Sequence, residues 1–233
     1  MTDPHPLDRP AWNALKSGWA SLAQGNEQAL RLEPDHGPFG ASADFSESAL
    51  TELAALIPPG GEIWTTEGHE IPDLPGAMRL RSAGLVQMVA SNLNPTAGQD
   101  EILDLQEVDS AEMRALAHLT QPGPFFPLTH RLGKFVGIRR EGTLVAMAGE
   151  RMRLDGYCEV SGVCTRPECR GQGLAGAMMS VVAARIFDRG ETPFLHSYAT
   201  NAGAIALYER LGFVIRKPMT VTIFGGKLPE TKS

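Results

Sequence analysis

The 233-residue sequence has no uninterrupted apolar run of about 18 residues. Nothing in it reads as a membrane-spanning helix. The opening Met1-Thr2-Asp3-Pro4-His5 lacks the basic start and apolar stretch of a secretory signal, so the expected location is cytoplasmic. Cysteine is scarce, with Cys158, Cys164 and Cys169 the only three. The first two fall on one strand-like segment roughly 20 Å apart, beyond disulfide reach. Their spacing, with no histidine nearby, matches no usual zinc pattern, so reduced thiols and no metal are expected. Basic charge is also short: 21 basic residues against 27 acidic give a net charge of −6. There is no general electrostatic reason to bind nucleic acid or an anionic membrane.

Hydrophobic residues make up 42% of the chain, enough for one large domain or two small ones. The second half is the more legible. Residues 102–108 alternate as a short strand, residues 110–119 carry Met113, Leu116 and Ala117 at helical spacing, and Gln121-Pro122-Gly123-Pro124 forbids regular structure. The Pro-rich loop that follows carries Phe125 and Phe126, which either line a substrate pocket or pin the loop to the core. Residues 134–139 and 143–152 form a hairpin candidate around Arg140-Glu141-Gly142. A strand over 157–165, a helix ending near Gly190, a strand over 194–199, a helix over 202–211 and a β-rich close over 213–224 complete the order β-α-β-β-β-α-β-α-β.

The first hundred residues are harder to read. Residues 9–23 place Trp12, Leu15, Trp19 and Leu22 on one helical side, and residues 28–32 and 39–43 suggest paired strands. Ser46 suits the cap of a helix with Leu50, Leu53, Ala54 and Ile57 as its apolar stripe, and strands are expected around 62–66 and 85–91. Residues 92–99, with Asn94-Pro95 and Gly98, make the best linker. The expected division is a smaller N-terminal α/β domain over 1–95 and a second domain over 100–228.

One stretch carries the most chemistry. Arg170-Gly171-Gln172-Gly173-Leu174-Ala175 lies between a strand-like run and an amphipathic helix. The first turn of a helix has unpartnered N–H groups and a partial positive charge, and glycines let a phosphate approach the backbone, so this turn suits a pyrophosphate.

A second stretch, Asn201-Ala202-Gly203-Ala204-Ile205-Ala206-Leu207-Tyr208-Glu209-Arg210-Leu211-Gly212-Phe213, follows one helix and one strand later. Together the two resemble the GNAT (GCN5-related N-acetyltransferase) superfamily, in its FR47-like and glycine N-acyltransferase-like branch. The first fits the family's Q/R-x-x-G-x-G/A pyrophosphate loop, with Val163-Cys164-Thr165-Arg166-Pro167 as the preceding strand end. The second fits N-x-x-A-x-x-L-Y-x-x-x-G-F. The resemblance spans residues 102–224, and the N-terminal part matches only as a degenerate half of the same fold.

This resemblance implies a mixed α/β (α+β) fold with a central mixed sheet flanked by helices. It implies acetyl-CoA as cosubstrate, held by Val163, Cys164, Thr165, Arg170, Gly171, Gln172, Gly173, Leu174, Ala175, Asn201 and Tyr208, with Arg166 also facing its phosphates. The N–H of Val163 would hold the thioester oxygen, and Asn201 would bond the pantetheine arm, cap a helix, or do both. Tyr208 is implied as the general acid for the departing thiolate, against a plain core tyrosine. His196 stands where some members carry a base, Glu159 where others do, and Glu150 is a third candidate, while a water relay would need none of them. The expected partners are acetyl-CoA and a small-molecule amine or amino acid; a protein N-terminus as acceptor, or a coenzyme A-binding module without turnover, are the alternatives.

Overall fold

The computed structural model describes residues 5–96, 98 and 100–226. Residues 1–4 and 227–228 of the expected domains, and residues 97 and 99 of the expected linker, lie outside the described residues. The elements are α1 (Pro10–Lys16), β1 (Ala23–Gly25), β2 (Ala29–Leu32), β3 (Gly40–Ser42), α2 (Glu47–Ala55), β4 (Glu62–Glu67), β5 (Met78–Ala90) and β6 (Leu103–Leu105). They continue with α3 (Ser110–Thr120), β7 (Phe135–Arg140), β8 (Thr143–Leu154), β9 (Tyr157–Thr165), α4 (Leu174–Asp188), β10 (Thr192–Tyr198), α5 (Ala202–Arg210) and β11 (Phe213–Gly225).

Eight strands form one sheet in the order β4-β11-β5-β10-β9-β8-β7-β6, and β1, β2 and β3 form a small separate one. Within the large sheet every neighbouring pair is antiparallel except β9 and β10. A parallel pair needs a long crossover, and α4 supplies it. Alternation then sorts the side chains. Cys158, Val160 and Leu195 join Met178, Met179, Val182 and Ile186 of α4 on one face. Met152, Leu154 and Phe194 meet Leu7, Ala11, Leu15 and Trp19, around α1, on the other. Met113 and Leu116 of α3 cover Phe135, Met147 and Cys164.

The expected boundary over 92–99 does not separate two sheets. β5 lies between β10 and β11, and β4 lies outside β11, so residues 62–90 complete the sheet that residues 103–225 begin. The segment meant as a linker is strapped down instead: Asn94 N–H donates to the Leu211 carbonyl and Thr96 N–H to Ser180 Oγ on α4. β5 also starts well before residue 85. Residues 78–84 are mostly exposed and lack an apolar alternation, yet they pair with the far half of β11. Their strand state comes from that partner and not from their own pattern.

The helix expected over 9–23 stops early, whereas the cap expected at Ser46 is present. α1 ends at Lys16 because Gly18 runs against the Arg153 carbonyl, 2.2 Å from where a Cβ would sit, while Trp19 turns inward and its indole N–H donates to the Arg151 carbonyl. Ser46 caps α2 as its type suggests, accepting from Ala49 N–H.

Gly212 closes the second motif at φ +100°, with the Asn92 carbonyl oxygen 2.5 Å from where its Cβ would be. The glycine of the motif is thus required both by its backbone angle and by the strap that crosses it. Gly212→Ala is expected to cost about 1–3 kcal/mol through strain and overlap. Urea unfolding checks this as a lowered midpoint at unchanged slope.

Candidate active site

β9 and β10 pair only from Tyr157 to Glu159 and from Thr192 to Phe194. Beyond those positions the strands part. From Val160 onward β9 is paired on its β8 side alone, leaving the edge facing β10 without a strand partner. Into this gap opens a cleft of about 400 Å3.

Its wall brings together Val163, Cys164 and Thr165 on β9, Arg170 and Ala175 at the head of α4, His196 on β10, and Asn201 and Tyr208 from the second motif. Gly171 and Gly173 have φ of +76° and +79°, and nothing approaches within 4 Å of where a Cβ would stand on either. Both are glycine because of backbone angle, and the space beside them is open. Leu174 begins α4 directly after them and is buried beneath. Gln172 turns aside, accepting from Arg140 at 2.6 Å. Arg170 Nε donates to the Thr165 carbonyl, whereas Arg166 is tied to the Leu144 carbonyl and to Glu168.

Asn201 accepts from Ala204 N–H, so it does cap α5, and it does so while lining the cleft. Tyr208 stands edge-on to Phe213, and burial raises its phenol pKa, keeping the hydroxyl protonated. Cys164 is buried on the cleft wall and burial pushes its thiol up to about 11, so it offers no thiolate near neutral pH. Among the described residues, no group of three or more His, Cys, Asp and Glu side chains could hold a metal ion, and no helix is long and apolar enough to cross a membrane.

Under the cleft floor lies a chain of polar contacts. Glu159, 1% exposed, receives Arg151 Nε at 2.8 Å and Nη2 at 3.0 Å, and its Oε1 lies 2.9 Å from His196 Nδ1. Burial alone would raise this carboxyl, but the Arg151 charge and the His196 contact outweigh it and hold the pKa at about 2. Nε2 of His196 is 3.1 Å from Gln87 Nε2. Gln87 is fixed on both sides: its amide donates to the Leu7 carbonyl at 2.9 Å, and its oxygen accepts from Arg216 at 2.9 Å. The Gln87 nitrogen is therefore a donor, His196 Nε2 is the acceptor, and the Nδ1 proton belongs to the Glu159 side. Both ring nitrogens are engaged. Glu150 points elsewhere, to Arg189 and Cys158.

The cleft is also walled by Phe39, Trp64, Thr66, Leu85, Met152 and Val221. Most of these come from the first ninety residues, so the N-terminal segment builds one wall of the site. Pro122, Gly123 and Pro124 border it from above, while Phe125 turns inward onto Phe135 with ring centroids 5.8 Å apart. The phenylalanine pair therefore splits from the loop tip, and Phe125 serves as a core anchor. Sequence reading missed Gln87 and Arg151. Gln87 sits as a polar residue within an apolar strand, Leu85-Val86-Gln87-Met88-Val89, and that interruption was the available signal, whereas Arg151 stands in the charged run Glu150-Arg151-Met152-Arg153 and gave none.

Residues 135–221 match the family of FR47-like proteins. A GNAT-family protein from Novosphingobium aromaticivorans is 46% identical over 96% of this chain and 100% of its own, with a TM-score of 0.90. The chain belongs to the GNAT family. A GCN5-related N-acetyltransferase from Kribbella flavida is 21% identical, covers 93% of both chains and superposes at a TM-score of 0.64. Another from Sphaerobacter thermophilus, 15% identical over 94% of this chain and 93% of its own, has a TM-score of 0.53. These two share the GNAT fold. No curated protein matches the chain.

The ion pair at the cleft floor sets a stability expectation. Arg151→Met leaves the buried Glu159 charge alone and is expected to cost about 3–5 kcal/mol, much of which the added Glu159→Gln change should restore. The folded-state pKa of Glu159, about 2, lies below its ordinary 4.5, so its contribution is present above pH 4.5 and is lost as pH falls through that interval toward 2. Denaturant titrations across this range check both expectations.

Proposed function

We propose that this GNAT-family protein transfers an acetyl group from acetyl-CoA to the primary amine of a small molecule or amino acid by direct attack. The observation that carries this reading is the parting of β9 and β10, beside which an unpaired strand edge, Arg170 and Ala175 at the ends of the glycine turn, and Tyr208 line a single cleft. Acetyl-CoA, when bound, supplies an acyl group on a thioester that an unprotonated amine can attack with release of the thiol.

The chain's residues fit that cosubstrate. The positive-φ glycines leave room beside the turn at 170–175, where backbone N–H groups and the start of α4 favour a pyrophosphate. The free edge of Val163, Cys164 and Thr165 can pair with an extended amide-bearing arm as an added strand, and backbone N–H groups there can stabilise charge developing on a carbonyl oxygen. Asn201 adds a side-chain partner. Tyr208, kept protonated by its burial, donates the proton that the departing sulfur needs. With Cys164 held as a thiol, no acyl-cysteine step is invoked.

His196 and Glu159 act as positioning residues in this reading. Glu159 stays ionised to low pH with its oxygens bonded, and the His196 lone pair faces the Gln87 amide, where an added proton would meet a donor. The acceptor then loses its proton to water, and proximity supplies much of the rate. A protein N-terminus is the second reading; the walls built from residues 39 and 64–66 favour a compact acceptor over it.

Calorimetric titration with acetyl-CoA followed by thiol release across an amine and peptide panel tests the proposal. Absence of coenzyme A binding at millimolar concentration would sink it. Tyr208→Phe is expected to lower turnover by about 100-fold or more with acetyl-CoA affinity nearly unchanged, and an unaltered rate removes Tyr208 as the acid. His196→Gln is expected to keep the shape of the pH–rate profile, and loss of an inflection from it would make His196 the base instead.

A further inference from the structure

The cleft is lined by a guanidinium, that of Arg151, whose bonding is incomplete. Arg151 uses Nε and one proton of Nη2 on Glu159, but among the described residues Nη1 donates to no protein acceptor. A guanidinium has five N–H donors in a fixed plane, so an outward-facing pair is left over. Arg151 lines the cleft, and Gly123 approaches the same Nη1, with 3.9 Å between that nitrogen and where a Cβ would sit.

The group is held rigidly. Glu159 fixes its inner edge, and its carbon lies 4.8 Å from the centre of the Phe39 ring. Phe39 in turn bridges Trp64, and Thr66 beside Trp64 pairs with Val221 across β4 and β11. The Phe39 ring lies against the guanidinium, and Trp64, Thr66 and Met152 line the same cleft. Glu159 is consumed by Arg151 and His196, and no other carboxylate lines this cleft among the described residues. A polyamine or a basic peptide would find no counter-charge for its further ammonium groups. An acceptor that carries an anion would meet the unused Nη1 donors of Arg151, with Arg170 a second cation lining the same cleft.

We infer that the acceptor is an amine bearing a carboxylate and an apolar side chain, with the carboxylate anchored on the outer edge of Arg151 and the side chain against Phe39 and Trp64. Bidentate geometry suits a planar carboxylate, and the Phe39 ring against the guanidinium helps hold its plane. This rests on the acyltransfer reading, from which it adopts only that the second ligand is an amine.

The test titrates acceptors directly, without turnover. L-phenylalanine, L-phenylalaninamide and 2-phenylethylamine share a ring and an amine, and only the first has a carboxylate. The expected result is binding of L-phenylalanine at least about tenfold tighter than either analogue, because the anchor's donors go unpaired with them. Arg151→Met combined with Glu159→Gln removes the anchor without stranding a buried charge, and should shrink the preference to about twofold or less. Equal binding of the three ligands to the wild-type protein overturns the inference, as does a preference that survives in the double variant. Should that variant fail to fold, the wild-type comparison decides alone. Tight, carboxylate-dependent binding with no thiol release would leave the anchor standing and remove the acyltransfer reading.

Discussion

The parting of β9 and β10 is the constraint around which the molecule is arranged. A parallel pair that continued to Thr165 and Tyr198 would bury its backbone groups in a closed ladder and leave no cleft. Here the ladder ends at Glu159 and Phe194, where a charged side chain is buried in the sheet. A buried carboxylate has to be compensated, and Arg151 from β8 and His196 from β10 converge on it from either side. The geometry ties the branch point of the sheet to the polar chain beneath it.

That polar chain also explains why the first hundred residues belong to the same unit. His196 is held by Gln87 on β5, and Gln87 by the Leu7 carbonyl and by Arg216 on β11. Arg216 and Lys217 both reach Asp8. The N-terminal turn, the inserted strand and the last strand thus meet at one side chain. Packing follows the same division, since α1 covers Phe194 and Met152 on the face where Glu159 lies, and α4 covers the opposite face. The cleft inherits a wall from each part, with Arg170, Ala175 and Tyr208 on the C-terminal side and Phe39 and Trp64 on the N-terminal side.

Much of this was readable beforehand, for identifiable reasons. From residue 102 onward each element has either a clear 3.6-residue apolar stripe or an alternation bounded by glycine and proline, and every expected element there is present in the expected order. The glycine turn and the Asn201–Phe213 stretch were legible because backbone angle and helix capping restrict residue type locally. The boundary at 92–99 misled because Asn94-Pro95 and Gly98 resemble a linker, whereas a strap pinned to Leu211 and Ser180 uses the same residues. Residues 78–84 were invisible as a strand since their faces are mostly wet.

The sequence by itself determined the local features: where glycine must stand in the turn at 170–175, where Ser46 and Asn201 begin helices, and which polar residues stand in strands. Those depend on neighbours within a few positions, and such neighbours are written in order along the chain. The tertiary structure alone decided what those polar residues do. Arg151, Glu159, His196 and Gln87 come from four strands, and only their convergence shows Glu159 held ionised, His196 fixed in one tautomer, and one edge of a guanidinium left facing the cleft. Burial and pairing are relations between distant segments, and no spacing in the sequence encodes them.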